Sequence, residues 1–381
     1  MEKIVSSERS RITYIDWLET MAIFLVVCCH YAITAGEGVW QNVIFQLCTT
    51  IAVPVFFMVN GSLLLNHSFD LKKHIIKTAF FIIATVLWKL IYLITVYYTM
   101  GFEFASIEPL DLFNYFCGAN LYEPYIPAEH FWYMYSLIGI YLIFPVIKAL
   151  YDSKFRNVYK YFMILIFVFF FLFSEVNEIM TYLAETYNIP QYMTETFSYT
   201  MLPLGYNIGY LFYFMLGPYM HSKFYEQKDR FDTKHRIIMF LIMYLSFMLI
   251  LIQKIYQEGT LDGEWVSLNC SYTRVTTCVM ACAAYAFFAS LEYKNKVMNS
   301  FNAFISKRTM NIYCLHMLLC YLYEKLIYAV SPWQSIGLHI VKTIVIIAVS
   351  LIITEPFTWV PGVNKALGVS PIHRFRKKEK I

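Results

Sequence analysis

The fold is decided by the stretch Ile12-Thr-Tyr-Ile-Asp16-Trp-Leu-Glu19-Thr-Met-Ala-Ile-Phe-Leu-Val-Val-Cys-Cys-His30-Tyr31, an apolar run of helix length. It carries Asp16 and Glu19 at one end and His30 toward the other. The step from Glu19 to His30 is about three helical turns, or roughly 16 Å. At about 100° per residue, both side chains lie on one face of the helix. Ionisable groups in a membrane helix usually face a bundle interior or a wet cavity, so this face predicts a site.

The composition indicates a membrane protein. Of 381 residues, 59% are hydrophobic and only 15% are charged, whereas soluble domains have about a quarter of their residues charged. The net charge of +4 is explained by membrane topology, so we expect membrane lipid and no nucleic acid as a partner. No small-residue cleavage site follows the first apolar run, which is therefore expected to be a retained span. The nine cysteines form no Cys-x-x-Cys pair, and no metal site is predicted.

Ten apolar runs are each long enough to cross a hydrocarbon core of about 30 Å. They predict an all-α, polytopic transmembrane helix bundle that forms a single domain over residues 1–381, with no internal repeat. The predicted spans are 14–34, 42–65, 78–99, 130–149, 159–175, 203–220, 236–254, 269–290, 308–329 and 336–357.

The distribution of basic residues predicts the orientation. Most of the 30 Lys and Arg fall in segments that are cytoplasmic if the N-terminus is inside. An even number of spans then places both termini in the cytoplasm, and the protein in the cytoplasmic (inner) membrane. The basic tail, about residues 362–381, is expected to contact anionic lipid.

The two long outer segments, 100–129 and 176–202, combine acidic and aromatic residues. Such surfaces suit neutral sugars, because sugar rings stack on aromatic side chains while hydroxyls bond to carboxylates. The alternative is an aromatic belt at the membrane interface.

Several residues are candidates for chemistry. His30 can take and return a proton near neutral pH, as acyl transfer to a hydroxyl requires. Asp16 and Glu19 are either first-turn charges that favour the helix dipole or members of the same site. Since Glu19 lies deeper, we expect it to pair with a buried cation, either Lys89 or Lys325.

Further polar residues lie within or beside later spans. The block Val53-Pro-Val-Phe-Phe-Met-Val-Asn60-Gly61 offers polar and small surface inside the membrane, or a kink with tight packing. His130 and Trp132 open the fourth span, where they either hold an acceptor or are wet interfacial residues. His316 is a histidine at membrane depth in the ninth span.

At this point the order of motifs resembles the family-3 membrane-bound acyltransferases, which acylate cell-surface glycans. The resemblance covers about residues 12–320. It rests first on the Asp16-x-Leu-Glu19 opening that leads to His30, and on the block with a proline, two aromatic residues and Asn60-Gly61. Three later blocks occur in the same order as in the family. They are His130-Phe-Trp132-Tyr133 followed by Leu137-Ile-Gly-Ile-Tyr-Leu-Ile-Phe-Pro145, then Asn207-Ile-Gly-Tyr-Leu-Phe-Tyr-Phe-Met-Leu-Gly217, and then Ile312-Tyr-Cys-Leu-His316.

The resemblance implies transfer of an acyl group, such as acetyl, from a cytoplasmic acyl-CoA to a hydroxyl of an extracytoplasmic glycan or glycolipid. His30 would be the general base or a transient acyl carrier, with Glu19 and Asp16 beside it in the catalytic set. The residues expected to bind substrate are Asn60, His130, Trp132 and His316.

The sequence departs from the family at Glu19, because the family usually has a basic residue eleven positions before the histidine. Contacts to the phosphates of acetyl-CoA, or of another acyl-CoA, are therefore expected from Arg11, Lys72, Lys73 and Lys77, which also suffice as positive-inside markers. A proton-coupled transporter or exporter of a sugar or lipid-linked glycan is the alternative function. The sequence does not indicate the oligomeric state.

Overall fold

The structure is a computed structural model that describes residues 11–32, 50–101, 107–122, 124–176, 187, 208–258, 272–323, 325, 336–360 and 362–370. These residues form helices joined by turns, and the only strand-like pairing among them is one isolated bridge between Tyr122 and Tyr125. The predicted all-α class is confirmed for this part of the chain. The predicted basic tail lies outside the described residues from position 371 onward.

The described residues of the first half of the chain form six α-helices. A 3₁₀ turn at Glu129–Phe131 leads into the fifth, and a π-helical turn at Val168–Leu172 extends the sixth. The helices are α1 (Thr13–Ala32), α2 (Ala52–Leu65), α3 (Leu71–Met100), α4 (Pro109–Phe116), α5 (Trp132–Asp152) and α6 (Arg156–Phe167).

The second half contains seven more described helices. A π-helical turn at His221–Tyr225 continues the first of them, and a 3₁₀ turn at Lys228–Arg230 follows. The helices are α7 (Ile208–Met220), α8 (Thr233–Glu258), α9 (Val275–Ser290), α10 (Lys296–Ser306), α11 (Thr309–Tyr323), α12 (Ile336–Trp359) and α13 (Val363–Ala366).

Every predicted span contains a described helix, and six of the described helices are long and apolar enough to cross a membrane. The count of ten spans and the orientation remain predictions. The shorter apolar helices include α2 and α9. The six are Thr13–His30, Leu71–Met100, Glu129–Asp152, Arg156–Val176, Thr233–Ile252 and His339–Trp359.

Two helices that the sequence analysis did not place lie between the spans. Helix α4 lies in the segment predicted to be outside, and Lys89 of α3 holds its C-terminal end. The Lys89 ammonium donates to the Tyr115 carbonyl and to the Ala119 carbonyl, the latter at 2.9 Å, and lies 4.1 Å from the centre of the Tyr115 ring. Helix α10 contacts α1 near the residue at which α1 begins.

Helix α1 lies at the centre of the bundle, where it contacts α2, α9, α10, α11 and α12. We call the end at which α1 begins, which is predicted to be cytoplasmic, the inner end. Near that end the Tyr14 hydroxyl lies 2.6 Å from His221 Nδ1 and 2.8 Å from the Tyr285 hydroxyl, which lies 2.6 Å from Ser62 Oγ. This buried chain of hydrogen bonds connects α1, the turn after α7, α9 and α2.

Helices α2 and α7 pack against each other through two glycines. A Cβ atom on Gly61 would lie 1.8 Å from the Phe214 carbonyl oxygen, and one on Gly217 would lie 2.0 Å from the Met58 carbonyl oxygen. No side chain fits at either position, so the two helices pack backbone against backbone, as small residues allow in a membrane.

Asp70 and Gly101 cap the two ends of α3. The Asp70 carboxylate accepts the Lys73 backbone N–H at 3.0 Å at the start of α3, and this bond lowers the pKa of that exposed carboxyl group. Gly101 ends α3 in the left-handed conformation with φ of 67°.

Candidate functional site

Three histidines from three different elements meet in the interior of the bundle. His30 comes from α1, His130 from the turn before α5, and His316 from α11. The ring centres of His30 and His316 are 5.1 Å apart, and those of His130 and His316 are 4.9 Å apart. We call these residues the histidine cluster. The structure therefore brings together three residues that the sequence singled out separately.

His316 is held in one tautomer. Its Nδ1 lies 2.7 Å from the Tyr313 carbonyl oxygen, and since a carbonyl only accepts, Nδ1 must carry the hydrogen. In the neutral ring Nε2 then has a lone pair. That atom is buried and has no hydrogen-bond partner among the described residues. His316 thus presents an acceptor nitrogen inside the histidine cluster.

His130 is positioned by two tyrosines. The Tyr313 hydroxyl donates to the His130 carbonyl, and the Tyr92 hydroxyl lies 3.4 Å from His130 Nε2. The Tyr92 hydroxyl is itself fixed by α11, because it donates to the Cys314 carbonyl at 3.0 Å and accepts the Leu318 N–H at 3.0 Å. His130 Nδ1 is buried and has no hydrogen-bond partner among the described residues. The cluster therefore contains two buried ring nitrogens that can interact with a bound group.

A cavity of about 170 Å³ lies between the histidine cluster and the inner end. Four apolar side chains from α1, α2 and α5 contribute to its wall, as does Phe81 of α3. Its lining consists of Glu19, Ile23, Phe56, Asn60, Phe81, Tyr133, Met134, Leu137, Tyr141, Thr309, Met310 and Tyr313.

Tyr133 and Tyr313 connect this cavity with the histidine cluster. Both line the cavity, and their ring centres are 5.5 Å apart. The Tyr313 ring centre is also 5.3 Å from that of His130 and 5.6 Å from that of His316. These two rings therefore lie between the cavity and the histidine cluster.

Glu19 and Asp16 do not contact His30. Both bond to Ser306 of α10, as described below, and Glu19 lines the inner part of the cavity. The predicted pairing with Lys89 is wrong, because Lys89 donates to the carbonyls of the outer segment. Lys325 lies beyond the far end of α11, whereas Thr309 at the near end lines the cavity with Glu19.

The other predicted residues are distributed along the same path. Asn60 lines the cavity, where its side-chain oxygen accepts the Tyr141 hydroxyl at 3.1 Å. Trp132 is half-buried beside Tyr210 and Tyr272, with ring centres 5.2 Å and 5.7 Å away.

The basic residues lie at the inner end. Arg11 forms an ion pair with Asp16 at 2.5 Å. Lys72, Lys73 and Lys77 are exposed on the first turns of α3, and Lys73 pairs with Asp70 at 3.2 Å. Residues four apart share a helix face, so Lys73 and Lys77 lie on the same face as Phe81 of the cavity.

Sequence reasoning missed the tyrosines and Ser306. Tyr133 follows His130 by three residues and Tyr313 precedes His316 by three, and a spacing of three places each pair on one side of its helix. That spacing could have identified both tyrosines as neighbours of the two histidines. Ser306 gave none, since it lies between the predicted spans 269–290 and 308–329 and belongs to no motif.

No group of three or more His, Cys, Asp or Glu side chains within the described part of the chain is arranged to hold a metal ion.

The chain was compared with known proteins in three ways. The family model described as "Acyltransferase domain" matches residues 12–355, a range that includes the histidine cluster, Glu19 and every residue that lines the cavity. The search of curated proteins and the search of solved structures each found no match. The matched range is far more than half of the chain, and the chain therefore belongs to the family-3 acyltransferases.

Proposed function

We propose that this membrane acyltransferase moves an acetyl or other short acyl group from a cytoplasmic acyl-CoA to a hydroxyl of an extracytoplasmic glycan or glycolipid. The observation that carries the proposal is the histidine cluster, with its unpartnered ring nitrogens, at the end of a cavity that begins near the inner surface. Histidine is the side chain best suited to take and return a proton near neutral pH.

His30 is the proposed general base. It takes the proton of the acceptor hydroxyl while the hydroxyl oxygen attacks the thioester carbonyl carbon. The new C–O bond forms, the C–S bond breaks, and the CoA thiolate leaves with the sulfur electron pair. The thiolate then takes up one proton, so the products are an ester and CoA thiol. His316, whose ring centre is 5.1 Å from that of His30, accepts a hydrogen bond at Nε2 from a neighbouring hydroxyl of the acceptor or from water.

The donor is proposed to enter from the inner end. The cavity is smaller than the several hundred Å³ of a typical pocket for a whole cofactor, so it suits the narrow arm of the donor. The amide of Asn60 and the hydroxyl of Tyr141 line it and can bond to the amides of that arm. Lys77 and Lys73 lie on the face that leads into the cavity, where they can contact phosphates.

The acceptor is proposed to approach the opposite end. Trp132, Tyr210 and Tyr272 form a half-buried aromatic group near His130, and Tyr122 and Phe113 of the outer segment are each 64% exposed. Sugar rings have apolar faces that stack on such side chains. This arrangement supports a glycan acceptor on the side away from the lysines.

The test is a transfer assay with purified protein in liposomes. Acyl-CoA labelled in the acyl group is supplied on one side and oligosaccharide acceptors on the other, and free CoA and labelled product are measured together. We expect one CoA thiol for each ester formed, with no dependence on a proton gradient. Gradient-driven movement of sugar without consumption of acetyl-, propionyl- or butyryl-CoA would overturn the proposal in favour of a transporter.

His30 acts as a base in this scheme rather than as an acyl carrier. Brief incubation with labelled donor in the absence of acceptor, followed by mass spectrometry, should show no acyl group on His30. An acyl-His30 species that forms and decays at the rate of turnover would overturn the role as base.

A further inference from the structure

Four polar residues meet at the inner end of the cavity: Arg11, Asp16 and Glu19 at the start of α1, and Ser306 at the end of α10. We call them the inner carboxylate cluster. The Ser306 hydroxyl lies at its centre, 2.8 Å from Arg11 Nη2, 2.9 Å from Asp16 Oδ1, and within hydrogen-bond distance of Glu19 Oε2. Ser306 is buried. One hydroxyl thus touches one guanidinium and two carboxyl groups.

Counting hydrogens shows that this arrangement needs an additional proton. A hydroxyl has one hydrogen to donate and two lone pairs to accept with. Arg11 can only donate, so it uses one lone pair of Ser306. The single hydrogen of Ser306 can serve only one of the two carboxyl groups. The other carboxyl group must therefore donate a hydrogen of its own, or two lone pairs face each other.

The carboxyl group that carries this proton is Glu19. Asp16 is held as a carboxylate by Arg11, whose Nε lies 2.7 Å and 2.8 Å from its two oxygens, with Nη2 at 2.5 Å. Such two-point guanidinium contacts strongly favour the ionised form. Glu19 forms no ion pair with a basic residue within the described part of the chain, and its contact is the neutral hydroxyl of Ser306.

The surroundings of Glu19 lead to the same conclusion. Glu19 is half-buried, and a carboxylate that is withdrawn from water without a paired cation is costly, so such a group usually takes up a proton. Arg308, two residues beyond Ser306, directs its guanidinium to the Phe304 carbonyl at 2.7 Å and over the Phe304 ring. The other polar side chains that line the cavity are uncharged: Asn60, Tyr133, Tyr141, Thr309 and Tyr313.

We propose that Glu19 is kept as a neutral carboxylic acid that donates its proton to Ser306, which in turn donates to Asp16. Every donor and acceptor around Ser306 is then satisfied. Arg11 and Asp16 neutralise each other, so the inner carboxylate cluster has no net charge, instead of the negative charge that an ionised Glu19 would give it.

This protonation explains how a glutamate occupies a position at which the family usually has a basic residue. A negative cluster at this end would repel the phosphates of an acyl-CoA, whereas a neutral carboxylic acid does not. This consequence for donor binding rests on the proposed function. The protonation itself rests only on the contacts of Ser306.

Infrared difference spectroscopy of the purified protein tests the protonation directly. At neutral pH we expect the carbonyl band of a protonated carboxyl group in the wild type, shifted by exchange into D₂O and absent from Glu19→Gln. The band should persist in Asp152→Asn, whose half-exposed carboxylate pairs with Lys148 at 2.6 Å. Identical protonated-carboxyl bands in the wild type and Glu19→Gln would overturn the proposal.

A second measurement needs no variant. Wild-type protein with ¹³C-labelled glutamate carboxyl groups should show the protonated band shifted, whereas ¹³C-labelled aspartate should leave it in place. The opposite result would assign the proton to an aspartate and overturn the proposal. Neither measurement involves acyl transfer, so both judge the protonation even if the proposed reaction is wrong.

Discussion

Replacement of Gly61 by alanine tests the packing that shapes the cavity. The new Cβ would lie 1.8 Å from the Phe214 carbonyl oxygen, whereas C···O contacts normally begin at about 3.3 Å. Helices α2 and α7 must therefore separate by about 1.5 Å, since the Cβ is fixed directly to one helical backbone and the carbonyl oxygen belongs to the other. Overpacking of this kind typically costs about 1–3 kcal/mol. Because Asn60 lies beside Gly61 and lines the cavity, donor binding should weaken as well.

Gly139→Ala is the matched control. Gly139 lies inside α5, and a Cβ there would have no neighbour within 4 Å. Alanine is favoured over glycine in a helix interior by about 1 kcal/mol, so this variant should be as stable as the wild type or more stable. Thermal unfolding in detergent, followed by intrinsic fluorescence, measures both variants. Equal stability of Gly61→Ala and Gly139→Ala would refute the close approach of α2 and α7.

Three further predictions concern the site and the topology. Tyr313→Phe removes the donor to the buried His130 carbonyl, which costs about 1–3 kcal/mol, and transfer activity should fall while the protein still folds; unchanged activity would contradict the positioning role. Lys89→Met should raise amide exchange in the helix that ends near Tyr115, as measured by mass spectrometry, because Lys89 bonds to two carbonyls there; unchanged protection would contradict that contact. Cys117 is exposed and predicted to be outside, so an impermeant maleimide should label it in intact cells, and labelling only after permeabilisation would reverse the orientation.

The sequence predicted the parts of the structure that depend on local pattern. Apolar runs gave the helices, and the spacing from Glu19 to His30 placed both on the interior side of α1. The sequence also identified the three histidines as candidates, because polar groups in apolar helices are rare.

The parts that depend on contacts between distant segments could not be predicted. The meeting of His30 with His316 joins α1 to α11, and no local pattern fixes that pairing. Lys89 was expected to need a carboxylate, yet a buried ammonium can be satisfied by backbone carbonyls at a helix end. Ser306 gained its importance only from the fold, which brings the end of α10 against the start of α1.

The most direct test of the central claim is the transfer rate of His30→Ala in liposomes, at equal protein and with labelled acyl-CoA. His235→Ala is the control, since His235 lies half-exposed at the start of α8 and pairs with Asp232 at 2.7 Å. We expect a fall of about a hundredfold to ten-thousandfold for His30→Ala, as for loss of a general base, and no change for His235→Ala. A folded His30→Ala protein that transfers the acyl group at the wild-type rate would contradict it.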